Sequence, residues 1–116
     1  MKNTFTILVI ALLIGVPDIV DAQKVYRSRE MTQYWYNFKR QDFDRQGEPS
    51  ESYSSVIVEE DYMIVLFPSA TNRYRIDSTV YRKGGWLHYY MTDTKGREKN
   101  VLINDANKLI RIYDSV

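Results

Sequence analysis

The sequence predicts an all-β protein, a small antiparallel meander of about six to eight strands that is closed or nearly closed into a barrel or sandwich. Two observations carry this prediction. After residue 22, most of the chain consists of short segments rich in β-branched and aromatic residues, separated by turn residues at intervals of roughly 8–12 positions. One of these separators, residues 93–96, has the composition of a tight hairpin turn.

The N-terminal segment has the three-part layout of a secretory signal peptide. Lys2 supplies a positive charge, an apolar run follows over residues 7–16, and Pro17 ends the run. The small residue Ala22 stands at the position expected for cleavage. An uncleaved membrane anchor is the less favoured alternative, because a spanning helix needs roughly 20 apolar residues. We therefore expect residues 1–22 to be a cleaved signal peptide and the protein to be periplasmic or secreted, with no membrane span in the mature chain.

The predicted mature domain, residues 23–116, has a composition that excludes several classes of protein. It contains no cysteine, so disulfides, thiol chemistry and a lipidated cysteine are excluded. A cysteine-free exported domain fits a bacterial envelope better than a eukaryotic secretory route. The formal net charge of +1 gives no indication of a nucleic-acid partner.

The first element of this domain, residues 24–38, is compatible with two structures. Its spacing of apolar residues includes a helical stripe at i, i+3, i+4 and i+7, formed by Met31, Tyr34, Trp35 and Phe38. Its residue types nevertheless favour a strand, because β-branched and aromatic side chains are enriched there. We interpret the segment as a strand, since an all-β domain needs an early strand to close its sheet.

Residues 39–52 are predicted to form a long exposed loop. The segment is polar, contains Gly47 and Pro49, and has Phe43 as almost its only apolar residue. A loop of this length is often functional or mobile.

The remaining segments are predicted as strands joined by turns. Residues 54–59 and Tyr62–Phe67 are short and β-branched, with room for a tight turn between them. Residues 73–81 alternate between two faces, and residues 108–113 close the chain.

The hairpin at residues 93–96 also fixes a register. Asp93 opens a type I turn and Gly96 supplies the left-handed residue that follows. The pairs across the hairpin are then Met91 with Lys99, Tyr89 with Val101, and Leu87 with Ile103. These six share a mainly apolar face that we expect to be the core. The opposite face carries Trp86, His88, Tyr90 and Thr92 beside Asn104, Leu102, Asn100 and Glu98.

Residues for catalysis and metal binding are sparse. His88 is the only histidine, and no serine lies in a glycine-flanked nucleophile elbow. Acidic residues suited to calcium occur at residues 42–44 and 59–61, but neither group has the glycine-punctuated loop of an EF-hand. We therefore expect no catalytic residue, no metal and no cofactor, and interpret the protein as a non-enzyme.

The high content of aromatic residues is the one unusual feature, with ten Tyr and two Trp. Core packing accounts for many of them, because a small barrel needs large side chains to fill it. The face that carries Trp86, His88 and Tyr90 is the candidate ligand or partner face, since such an amphipathic strip suits a sugar ring or a protein partner.

The layout is similar to a lipocalin-type meander, although the glycine–tryptophan signature near the first strand is absent. This resemblance is architectural and implies no functional residue. The preferred hypothesis is an exported, non-enzymatic binding or interaction module for an unknown protein or carbohydrate partner, with the oligomeric state open. A small-ligand carrier with a lipocalin-like barrel and an enzyme are the alternatives.

Overall fold

The computed structural model describes residues 8–15, 17–20, 23–37, 39–40 and 42–114. Within these ranges the chain forms strands and turns and contains no helix. The described residues therefore include no helix that is long and apolar enough to cross a bilayer. The nine strands are β1 (Leu8–Ile14), β2 (Asp18–Val20), β3 (Gln23–Asn37), β4 (Asp42–Val58), β5 (Tyr62–Phe67), β6 (Ala70–Arg82), β7 (Trp86–Asp93), β8 (Glu98–Asn104) and β9 (Leu109–Asp114).

The strands form one antiparallel meander that closes into an eight-stranded barrel. From β3 to β9 each strand pairs with the next in the chain. β1 closes the circle, because it pairs with β9 on one side and with β3 on the other. β2 is an extra strand that continues along the edge of β3. The prediction of a closed antiparallel all-β fold is confirmed.

The β7–β8 hairpin has the predicted register. Leu87 pairs with Ile103, Tyr89 with Val101, and Met91 with Lys99. In the turn, the Asp93 carboxylate accepts hydrogen bonds from the backbone N–H groups of Lys95 and Arg97, at 2.9 and 2.8 Å. Gly96 has a φ of +80°, which is the left-handed conformation that the turn requires.

Residues 24–38 form a strand over the part that the structure describes, as predicted. β3 buries alternate side chains, Tyr26 and Ser28, while Arg27 and Arg29 are exposed. The helical spacing of Met31 and Tyr34 is therefore coincidental, because the backbone of this segment is paired with β1 and β4.

The prediction of a loop over residues 39–52 is wrong from Asp42 onward, because these residues belong to β4. The backbone is paired along β3, and two irregularities in the ladder accommodate residues that a regular strand excludes. One of them lies between Gln46 and Ser50 and contains Gly47 and Pro49, which has no N–H to donate. The low apolar content of the segment led to the prediction of a loop. It is explained by exposure, because residues 48–51 of this strand are exposed.

Apolar side chains from every strand of the closed circle pack together in the barrel interior. The buried apolar side chains within the described residues form one cluster: Leu12, Ile14, Tyr26, Val56, Met63, Val65, Tyr74, Tyr89, Met91, Val101, Ile103, Ile110 and Ile112. An eight-stranded barrel is narrow enough for side chains to occupy its interior. Burial of this cluster is the main source of stability in a chain without disulfides.

A tyrosine–carboxylate contact ties β3 to the β8–β9 turn. The Tyr26 hydroxyl donates to Asp105 Oδ1 at 2.9 Å, and Lys24 Nζ lies 3.2 Å from Asp105 Oδ2. Burial, reinforced by the Asp105 carboxylate, raises the pKa of Tyr26 well above its usual range. Burial also raises the pKa of Tyr89 to about 12, with a smaller contribution from Tyr26.

Replacing Gly96 by Val is expected to lower the free energy of unfolding by about 1–2 kcal/mol or more, because a β-branched residue is strained at positive φ. No atom lies within 4 Å of a Cβ placed at Gly96, so this cost comes from the backbone alone. Gly96→Asn is the control, since Asn tolerates the left-handed region. Urea melts measure both, and equal losses for Val and Asn would show that strain at Gly96 is not the cause.

Stability is expected to fall as the pH rises through the range between about 10 and about 12. Unfolded tyrosine ionises near pH 10, whereas Tyr89 in the folded protein ionises at about 12. Its contribution is therefore complete below pH 10 and is lost as the pH approaches 12. Urea melts at about pH 9 and about pH 11 measure the free energy of unfolding at each pH. Between these two pH values it should fall less in Tyr89→Phe than in the unchanged protein. An identical loss in both proteins would assign the pH dependence to other groups.

Candidate functional site

The structure places Trp86, His88 and Tyr90 together on the outer face of β7. Tyr89 and Met91 point into the barrel from the same strand and are buried in its core. Trp86 and Tyr90 are half-buried, whereas His88 is only 6% exposed although it lies outside the barrel. That burial comes from neighbouring side chains on the outer surface.

His88 is covered by residues from four adjacent strands. The Tyr90 ring stacks on the imidazole with a centroid separation of 4.1 Å, and the Tyr113 ring is tilted against it at 6.2 Å. Asn100 and Arg82 hydrogen-bond to its two nitrogens. We call these five residues, from β6, β7, β8 and β9, the outer-face cluster: Arg82, His88, Tyr90, Asn100 and Tyr113.

The hydrogen bonds of the cluster specify one form of the imidazole. Arg82 Nε donates to His88 Nδ1 at 3.3 Å, so Nδ1 must be unprotonated in this arrangement. His88 Nε2 then carries the hydrogen and donates to Asn100 Oδ1 at 2.9 Å. Arg82 also donates to the Tyr90 hydroxyl. Both ring nitrogens are therefore engaged with neutral or cationic side chains, an arrangement that orients the ring.

The strand register brings these residues together. Tyr90 pairs with Asn100, and Asn100 pairs with Tyr113, so three outward side chains form a row across β7, β8 and β9. The Lys83–Gly85 turn, with positive φ at both Gly84 and Gly85, returns the chain so that Arg82 pairs with Trp86.

A second cation lies on the same surface. The Arg111 guanidinium lies 4.7 Å from the centroid of the Trp86 ring, a cation–π distance. Arg111 is exposed and is separated from the outer-face cluster by Leu102, which pairs with both Arg111 and His88. The extended surface thus combines half-buried rings with two guanidinium groups.

The two guanidinium groups of this surface form no ion pair with a carboxylate among the described side chains. Several cations elsewhere pair with carboxylates, among them Arg75 with Asp77, Arg97 with Asp93, and Lys24 with Asp105. Arg82 instead donates to neutral acceptors, and Arg111 lies against a ring. Burial, with a smaller contribution from Tyr90, raises the pKa of Tyr113, so its hydroxyl stays neutral at physiological pH. The surface is therefore positively charged.

Reasoning from the sequence placed Asn100 and Leu102 beside β7, but it did not include Arg82, Arg111 or Tyr113. The Gly84–Gly85 turn was a usable signal, because a hairpin at that position brings Arg82 back to Trp86. The position of Arg111 depends on the β8–β9 register, and the turn there contains a non-glycine residue with positive φ, Lys108.

Two surface grooves lie elsewhere on the barrel. One, of about 390 Å³, is lined by residues that include Tyr62, Arg73 and Thr94, and the Arg73 guanidinium stacks on Tyr62 at 4.2 Å. The other, of about 400 Å³, lies beside Ile19 and Glu59.

Among the residues that the structure describes, no three histidine or acidic side chains come together in a way that could hold a metal ion. Comparison with known proteins gives no further indication of function, because no family model, curated protein or solved structure matches the chain.

Replacing Asn100 by Ala is expected to lower the free energy of unfolding by about 1–3 kcal/mol, because the buried Nε2–H of His88 would lose its acceptor. The matched control is Asn107→Ala, which removes an exposed amide and should change stability by about 0.5 kcal/mol or less. Urea melts of both variants measure the difference. Equal stability of the two variants would show that the His88–Asn100 hydrogen bond contributes nothing.

Proposed function

We propose that the protein is a non-enzymatic binding module that captures an acidic carbohydrate on the outer surface formed by β6–β9. The observation that carries the proposal is the pairing of two guanidinium groups, Arg82 and Arg111, with the half-buried rings of Trp86 and Tyr90. Binding at this surface does not depend on export of the protein. Export stays a prediction.

The chemistry of the surface matches an acidic sugar. The apolar face of a pyranose packs against aromatic rings, and Trp86 and Tyr90 are both only half-buried. A uronate carboxylate or a sulfate group binds a guanidinium through two parallel hydrogen bonds. Arg82 and Arg111 are both exposed, and neither pairs with a carboxylate among the described side chains.

The outer-face cluster prepares the surface for binding. His88 and Asn100 are buried and hydrogen-bonded, so they fix the orientation of Tyr90 and Arg82 before a ligand arrives. A preorganised surface loses less side-chain entropy on binding than a mobile one. This supports a rigid recognition surface formed by a continuous sheet.

The two alternative functions receive less support from the geometry. A carrier needs space inside the barrel, and among the described residues a continuous cluster of buried apolar side chains from all eight strands of the barrel packs there. Acid–base catalysis by His88 needs a ring nitrogen that reaches a substrate, whereas both nitrogens of this ring are engaged with Arg82 and Asn100.

An oligomer of galacturonate is expected to bind, with affinity that falls as the salt concentration rises, because the attraction is between exposed charges. Arg111→Gln should weaken binding by roughly tenfold, equivalent to about 1.4 kcal/mol. The matched control is Lys95→Gln, which removes the same charge from the exposed β7–β8 turn and should leave affinity unchanged. Isothermal titration calorimetry measures all three proteins.

A neutral oligosaccharide of the same length, and a peptide of acidic residues, complete this experiment. Equal binding of the neutral sugar would show that the guanidinium groups do not select the ligand. Binding of the peptide in preference to the acidic sugar would replace the carbohydrate with a protein partner. Absence of binding by galacturonate, or an equal loss in the Lys95→Gln control, would contradict the proposal.

A further inference from the structure

The strand β1 lies within the segment that the sequence predicts to be a cleaved leader. Its backbone pairs with β9 from Val9 to Leu13 and with β3 from Leu8 to Ile14. Ile14 N–H also donates to the Lys108 carbonyl at 2.9 Å. Within the leader-like segment, Leu8–Ile14 is therefore an internal strand, with hydrogen-bonded neighbours on both sides.

β1 also supplies part of the barrel core. Leu12 is fully buried and Ile14 is 6% exposed, and both pack in the main apolar cluster with Ile110 and Ile112 of β9. Leu13, between them, points outward and is 52% exposed. This strict alternation is that of a strand with one face in the core and one face outside.

Removal of residues 1–22 would take both β1 and β2 out of the fold. It would leave β3 and β9 each with one unpaired edge, because among the described residues β9 pairs with β8 and β1 alone. It would also uncover the side of the core that Leu12 and Ile14 close. An exposed apolar edge of this kind promotes association and aggregation.

The composition of this segment does not distinguish a signal peptide from a strand of the barrel. All seven residues of β1 are apolar, so the alternation between inward and outward positions is invisible in the sequence. A secretory apolar run requires hydrophobicity alone, whereas a barrel strand requires it only at alternate positions. The paired backbone and the buried Leu12 are the features that distinguish the two roles.

We propose that Leu8–Ile14 is a permanent strand of the folded protein, retained in the chain whatever targeting role the segment has. The retained strand closes the barrel and completes its core. This inference is independent of the proposed carbohydrate surface, which lies on β6–β9.

Two substitutions of the same chemistry in the full chain test the proposal. Leu12→Ala should lower the melting temperature by roughly 10 °C or more, because it opens a cavity in the core. Leu13→Ala should lower it by about 2 °C or less, because that side chain points outward. The two variants reduce the hydrophobicity of the segment equally, so any effect on targeting should be the same in both. A difference in melting temperature between them therefore reports the position of each side chain in the fold. Equal melting temperatures for both variants would overturn the proposal.

The mass of the folded protein gives a second readout, one that does not depend on a variant. The full chain from Met1 is produced, and the monodisperse folded fraction is analysed by intact-mass and peptide mass spectrometry. Peptides covering Leu8–Ile14 in that fraction would support retention of the strand. A folded fraction that begins at Gln23 would overturn it.

Discussion

The pairing of β1 with both β9 and β3 converts an open meander into a closed barrel. Closure removes two sheet edges at once and places Leu12 and Ile14 against the core. The interior must be filled by large apolar side chains to be stable, because no disulfide is available. The buried positions of the remaining strands, and hence the direction in which every outward side chain points, follow from this closed arrangement.

The outer surface of β6–β9 gains its character from the same alternation. Once Tyr89 and Met91 are committed to the core, His88 and Tyr90 must point outward, and their cross-strand neighbours become Asn100 and Tyr113. Burying a polar imidazole outside the core is favourable only because Arg82 and Asn100 satisfy its two nitrogens. The outward residues therefore form a rigid polar and aromatic surface, whereas the exposed ion pairs elsewhere contribute little to stability.

Three turns maintain the registers on which this surface depends. Asp93 and Gly96 set the β7–β8 register through side-chain acceptance and a positive φ. At the other end of the barrel, Asn104 donates to the Gly84 carbonyl at 3.0 Å and accepts from the Asn107 N–H at 3.0 Å. One buried amide thus couples the β6–β7 and β8–β9 turns, which carry Arg82 and Arg111 into place beside Trp86.

The sequence by itself determined the all-β class, the β7–β8 register and the common face of Trp86, His88 and Tyr90, because these depend on local alternation and on turn residues with specific backbone requirements. Tertiary structure decided the rest. It made residues 42–52 a strand, since pairing with β3 satisfies the backbone hydrogen-bonding groups of a segment whose sequence has no alternating apolar pattern. It also brought Arg82, Arg111 and Tyr113 to the candidate surface, and it made Leu8–Ile14 a strand of the barrel. These outcomes depend on contacts between segments distant in the chain, and such contacts leave no periodic signal in either segment alone.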